Sequence, residues 1–244
     1  MRNIKILVQY NGKNYCGWQS QPEKLGISGE IERAFFVIAN EKIKLIGSGR
    51  TDAGVHATGQ VANFKCESNI EVRKIPDALN AMLPKDISII KAEEVNENFH
   101  SRYSAKKKKY KYIINNSRYR NPIISDYSYQ VKYDLDVEKM KEEAKNLLGS
   151  HDFCSFMSSG SSVKDTVRTI ESVNLNMKEN IIEFEIVGNG FLYNMVRIIV
   201  GTLVDIGRGK IEISMKEIIE NKSRGTAGHT APPQGLFLEE VLYE

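Results

Sequence analysis

Residues 47–60 read Gly-Ser-Gly-Arg-Thr-Asp-Ala-Gly-Val-His-Ala-Thr-Gly-Gln, and Val61-Ala62-Asn63-Phe64-Lys65 follows with the composition of a strand. Glycines let a backbone turn sharply and approach a ligand closely. Asp52 lies among them, directly after Arg50 and Thr51. A guanidinium there suits a phosphate, and a lone carboxylate beside it points to chemistry on a nucleotide within a polymer. Two familiar phosphate loops are excluded by spacing. Gly47 and Gly49 match the start of a dinucleotide fingerprint, but Asp52 occupies the third glycine position. Gly49 and Gly54 match a P-loop, but Val55-His56 replaces its Lys-Ser/Thr pair. The residues leave a second role open, a turn in which Asp52 bonds its own backbone.

Outward from this loop, strand and helix signals alternate. Ile4, Ile6, Val8 and Tyr10 alternate with Lys5, Leu7 and Gln9, as in a strand. Ser28 is expected to cap a helix with Ile31, Phe35 and Ile38 on one face. Beyond the loop, Pro76 starts a short helix that Pro84 ends, and Ile87–Ile90 reads as a strand. The second half repeats the theme. Lys109–Ile114 is a strand, and Val137, Met140, Ala144 and Leu147 mark a helix expected to stop at Gly149. Ile170–Met177 and Ile181–Val187 read as a hairpin. Residues 191–206 form the most apolar helix, Ser214 and Glu217 a capping box, and Leu236–Tyr243 a closing strand. The order predicts an α+β fold of two halves, 1–105 carrying the Asp loop and 106–244 the later motifs. The basic Ser101–Lys109 junction is no flexible linker, so the halves are expected to share a continuous sheet.

The chain has 244 residues, 41% hydrophobic and 27% charged, with a net charge of +3. That is a globular composition, and the mean charge says little about partners. The distribution says more: residues 98–125 hold eight Lys or Arg and no Asp or Glu. Cys16, Cys66 and Cys154 are odd in number and widely spaced, which fits a reducing cytoplasm better than a disulfide framework. No signal-peptide pattern opens the chain, and the 191–206 stretch is too short and too polar for a membrane span. His56, His100, His151 and His229 lack ligand spacing, so no metal is expected.

Two further segments carry candidate chemistry. Lys106-Lys107-Lys108-Lys109-Tyr110-Lys111-Tyr112 combines charge for phosphates with flat faces for unstacked bases, and Phe99, Tyr103 and Tyr119 extend the pattern. A lysine-protected edge strand has the same composition. Arg197 interrupts the apolar helix. A buried guanidinium needs an anion, which a loop carboxylate such as Asp52 would supply, whereas a snorkelling arginine would not.

Four segments occur in one order: Gly49-Arg50-Thr51-Asp52-Ala53-Gly54-Val55-His56, Lys109-Tyr110-Lys111-Tyr112, Asn194-Met195-Val196-Arg197, and Thr230-Ala231-Pro232-Pro233 with Gly235-Leu236. Together they resemble the tRNA pseudouridine synthase A family, nearly end to end. The resemblance implies two similar ferredoxin- or RRM-like halves forming a continuous, mostly antiparallel sheet, with helices on one side and a central RNA-binding cleft. It implies isomerisation of uridine to pseudouridine at positions 38, 39 and 40 of the tRNA anticodon stem-loop. It carries over Asp52 as the catalytic aspartate, Tyr110 as the residue stacking on the target base, Arg197 as the aspartate's partner, Leu236 as an apolar wall and Arg50 as a phosphate contact. The lysines at 106, 107, 108, 109 and 111 would bind RNA. Arginines are often found there in the family, and lysine keeps the charge but not the bidentate geometry. The resemblance further implies no metal or organic cofactor, a homodimer, and a cytoplasmic location. A pseudouridine synthase acting on another RNA, a non-catalytic RNA-binding module and a nucleoside hydrolase are the competing readings.

Overall fold

A computed structural model describes residues 1–160 and 163–244. Among the described residues are ten strands and five α-helices, an α+β fold. The chain folds as two compact units, one formed by Met1–Lys106 with Phe237–Glu244 and the other by Lys107–Leu236.

In the first unit, β1 (Arg2–Tyr10) pairs antiparallel with β3 (His56–Cys66) on one side and β4 (Ile87–Val95) on the other. The far edge of β3 is shared. Its beginning pairs in parallel with β10 (Leu236–Leu242), through Phe237 opposite His56 and Leu238 opposite Ala57. Its middle pairs with the two-residue β2 (Ile46–Gly47). The strand is therefore longer at its start than the Val61–Lys65 run suggests, because β10 supplies hydrogen-bonding partners to a segment of low apolar content. Alternation buries Ile4, Ile6 and Val8. Helix α1 (Ile27–Ala39) buries Ile27, Ile31, Ala34 and Phe35, and the Phe35 ring meets Phe64 edge-on at 4.9 Å. Helix α2 (Ile75–Asn80) carries Pro76 in its first turn, where no amide donor is missed, and buries Ile75 and Leu79.

One expectation fails here. Ser28 does not cap α1: the cap residue is Gly26, and no side chain takes that role. The first amides donate instead to backbone carbonyls of the preceding loop, Ile27 N–H to Gly17 O at 3.1 Å and Ser28 N–H to Trp18 O at 2.9 Å. Carbonyls delivered by tertiary structure do what a serine hydroxyl would have done.

In the second unit the strand order is β5–β9–β8–β7, each pair antiparallel. These strands are β5 (Lys107–Asn115), β7 (Gly149–Asp152), β8 (Val167–Lys178) and β9 (Ile181–Gly188). The short β6 (Tyr129–Gln130) runs parallel to the end of β5. β8 and β9 form the expected hairpin, closed through Glu179 at φ +55°. Helix α3 (Val137–Lys145) ends at the Asn146 cap, before Gly149, whose positive φ opens β7 instead. Helix α4 (Met195–Gly207) starts four residues later than the apolar run, because Asn194 sits in the left-handed region at φ +61° and breaks the helical path. Helix α5 (Met215–Glu220) has the Ser214–Glu217 capping box. Among the described residues no helix is long and apolar enough to cross a membrane.

Candidate active site

Asp52 lies in the loop joining β2 to β3, and the backbone of the segment after β1 braces that loop. Gly17 and Asp52 form an isolated antiparallel bridge, and Trp18 N–H donates to Thr51 O at 3.1 Å. A Cβ on Gly17, at φ +108°, would stand 2.3 Å from Thr51 O, and one on Gly12 would stand 2.0 Å from Val55 O. The two chains thus pass closer than any side-chain-bearing residue allows. Gly12 N–H also donates to His56 Nδ1 at 3.1 Å. His56 is buried and stacks on Phe237 at 4.9 Å, so its ring helps to hold the end of the loop. The turn after Asp52 is closed by Val55 N–H donating to Asp52 O at 3.1 Å, with Gly54 at φ +77°.

Side chains lock the remainder. Tyr10 Oη and Thr51 Oγ1 share a buried hydrogen bond of 2.8 Å, and burial pushes the Tyr10 phenol well above the usual tyrosine range. Ser48 Oγ donates to Gln60 Oε1 at 2.6 Å, and Gln60 Nε2 donates to Gly49 O at 3.0 Å. Asp52 remains half-buried and Arg50 exposed. A carboxylate is thus presented on a loop whose backbone has little freedom. None of Tyr10, Gly12, Gly17 and Trp18 stood out in the sequence, where the available signal was two glycines five apart just after a strand.

The second unit holds the other candidates. Tyr110 lies on β5 opposite Ile186, with Phe191 edge-on to its ring at 5.0 Å and 81°. Arg197 is the single α4 residue that is not buried. Its Nε donates to Ala231 O and its Nη1 to Asn194 Oδ1, each at 2.8 Å, while Ala231 N–H returns a bond to Arg197 O at 3.0 Å. Its guanidinium is oriented by defined acceptors, unlike that of an arginine reaching freely for water. Leu236 is buried at the start of β10. The preceding Gly235 lies so near Tyr112 that a Cβ would be 2.6 Å from its ring.

The basic strand needs revision. Tyr110 and Tyr112 lie on the same, covered face of β5: Tyr110 is buried but keeps 8% exposure, whereas Tyr112 is fully buried and donates its hydroxyl to Pro232 O at 2.7 Å, so Tyr112 offers no face to a base. Phe99 is half-buried and packs on Tyr243 at 5.1 Å. Tyr103 and Tyr119 are exposed, each under an arginine, Arg102 at 5.7 Å and Arg118 at 5.5 Å. Among the lysines, Lys107 pairs with Glu171 at 2.6 Å and Lys109 with Glu185 at 2.9 Å, which offsets part of their charge. Lys106 is exposed, and Lys108 and Lys111 are half-buried. Among the described residues no group of three or more His, Cys, Asp or Glu could hold a metal ion.

A family model described as tRNA pseudouridine synthase matches residues 6–104 and 144–244, which places the class. The chain is 48% identical over 244 residues to the tRNA pseudouridine synthase A of Thermoanaerobacter sp. (strain X514), and 50% identical to that of Acetivibrio thermocellus. Both alignments cover 100% of each chain. The chain belongs to the tRNA pseudouridine synthase A family, a family of isomerases. Among solved structures, a chain in the crystal structure of a Cbf5-Nop10-Gar1 complex aligns with 96% of this chain and 57% of its own length. The sequence identity is 12% and the TM-score 0.41.

Proposed function

We propose that this protein converts uridine to pseudouridine at positions 38, 39 and 40 of the tRNA anticodon stem-loop, with Asp52 as the catalytic carboxylate. The observation that carries the reading is the clamped Asp52 loop in a chain matched end to end by relatives named tRNA pseudouridine synthase A. The reaction moves one glycosidic bond. Uracil leaves C1′ through N1, turns, and reattaches through C5, so no atom is gained or lost and a carboxylate suffices as the reacting protein group. Asp52 serves either as nucleophile or as the base that takes a proton from the substrate. A restrained loop suits both, because it spares the reaction the entropy of placing the carboxylate.

The target base must leave its stack before it reacts. Tyr110, steadied by Phe191, is the proposed surface that receives it. Arg197, oriented by Ala231 and Asn194, is the proposed partner of the Asp52 carboxylate. Arg50 and Lys106, Lys107, Lys108, Lys109 and Lys111 are proposed to meet phosphates, and Leu236 to wall the site. The exposed Arg–Tyr stacks at 102–103 and 118–119 are the shape that unpaired bases stack on. The protein is proposed to act as a cytoplasmic homodimer.

Incubation with a tRNA transcript followed by mapping of modified sites tests the reading. Asp52→Asn should abolish pseudouridine while leaving tRNA affinity within a few-fold of wild type. Product formation at the wild-type rate by that variant removes Asp52 from the chemistry. Release of free uracil would instead identify a hydrolase.

A further inference from the structure

A hydrogen-bonded chain of part-buried side chains is rooted in a buried carboxylate on the same helix as Arg197. Asp205, two turns after Arg197 on α4, is 1% exposed. Its Oδ2 accepts the His229 backbone N–H at 3.2 Å and the ring Nδ1–H at 2.9 Å. With Nδ1 donating, Nε2 accepts, and the Tyr129 hydroxyl on β6 stands 3.2 Å from it. Lys210 Nζ is 3.6 Å from the other Asp205 oxygen.

The same loop is fastened to α4 on both sides of His229. Gly228 N–H donates to Thr202 Oγ1 at 2.9 Å. A Cβ on Gly201 would stand 1.8 Å from His229 O, and one on Gly228 would stand 2.9 Å from Asp205 Oδ2. Arg224 bonds Gly228 O at 2.9 Å from outside. Two residues after His229, Ala231 O is the acceptor that orients the Arg197 guanidinium, and Pro232 O is the acceptor for Tyr112. Asp205 and Arg197 are thus joined by a short stretch of backbone hydrogen-bonded at both ends to one helix.

We propose that His229, held by Asp205 and Tyr129, is a positioning residue: it sets where Ala231 O stands and so aims the Arg197 guanidinium for the reaction. This rests on the reading of Arg197 given above. No feature of the tRNA isomerisation itself requires a histidine at this place. The assignment comes from the bonds that converge on it.

Two readouts test it separately. In nitrogen-15 NMR of the full chain, the Arg197 Nε–H should be resolved and protected in the wild type, lose protection in His229→Ala, and keep it in His229→Asn, whose side-chain amide also donates to Asp205. In single-turnover assays with tRNA, H229A should slow pseudouridine formation about tenfold, in line with the cost of sub-ångström misplacement, with tRNA affinity within twofold. H229N should recover most of the rate, and in an Arg197→Lys background H229A should add no further loss. If H229A does not fold, His229→Ser replaces it, because its hydroxyl falls short of Asp205. Unchanged Nε–H protection in H229A, equal damage from H229N, or losses that multiply with R197K would each overturn the proposal. Lost protection together with unchanged pseudouridine formation would also overturn the catalytic part. If instead the wild type makes no pseudouridine, the functional reading fails, while the NMR result still decides whether His229 positions Arg197.

Discussion

Gly17→Ala isolates the brace on the Asp52 loop. The new Cβ would stand 2.3 Å from Thr51 O, where ordinary contact begins near 3.4 Å. The blocking atoms are backbone, so no side chain can swing aside. The two segments must separate by roughly 1 Å, a displacement that can cost about 10²-fold in rate when it reaches a catalytic group. The positive φ of +108° adds strain of about 1–2 kcal/mol, and separation weakens the Trp18-to-Thr51 hydrogen bond, worth about 1 kcal/mol. A stability loss of about 2–3 kcal/mol follows from these together. Gly209→Ala is the control. Gly209 also has a positive φ, +69°, but nothing lies within 4 Å of its Cβ position, so it carries strain of about 1 kcal/mol without displacement. Urea unfolding gives the stabilities, and single-turnover assays on tRNA give the rates. G17A should lose both stability and about 10²-fold in rate, and G209A only stability. A G17A protein whose rate matches G209A would refute the claim that the close backbone approach sets the position of Asp52.

Tyr112→Phe removes the hydroxyl that donates to Pro232 O and leaves that carbonyl without its donor. Denaturant unfolding should show a loss of about 1–3 kcal/mol, and no loss would mean that the 231–235 loop is held elsewhere. Glu93→Gln should flatten the acid limb of the stability profile. Hydrogen bonds from Lys5 and Lys91 hold the Glu93 carboxyl down at about 2, against a usual 4.5. A carboxyl lowered in the folded state stabilises it above the usual value and loses that contribution as pH falls toward the folded one. The wild-type minus E93Q difference should therefore shrink between pH 4.5 and 2 and also shrink with added salt, because the pair is partly exposed. A difference that is flat across this range would show that the ion pair adds nothing.

What was legible in the sequence was periodic or local. Alternation located β1, and the capping box located α5, because those signals are set by residues a few positions apart. Ser28 misled for the complementary reason: a good cap residue is a local preference, and Gly17 O and Trp18 O override it from ten residues away. Tyr112 looked like a second stacking face beside Tyr110 because the two share one face of β5, and composition does not tell how deeply each residue of that face is covered. Arg197 was legible as an anomaly, a charge in an apolar helix, but the atoms that orient it come from residue 231 and from the left-handed turn at 194.

The block from Gly49 to His56 announces chemistry, yet its geometry is written elsewhere, in atoms that are absent. Gly12 and Gly17 work by lacking a Cβ where Val55 O and Thr51 O must pass. Gly47 does the same beneath the Trp18 ring, which a Cβ would meet at 2.5 Å. Gly201 and Gly228 repeat the device in the other unit, bringing the His229 loop onto α4. At Gly12, Gly17, Gly201 and Gly228 backbone is held against other backbone, so the placement of these segments does not depend on rotamers settling. This implies that substitution of these glycines should disturb the chemistry more than substitution of most side chains that line the site.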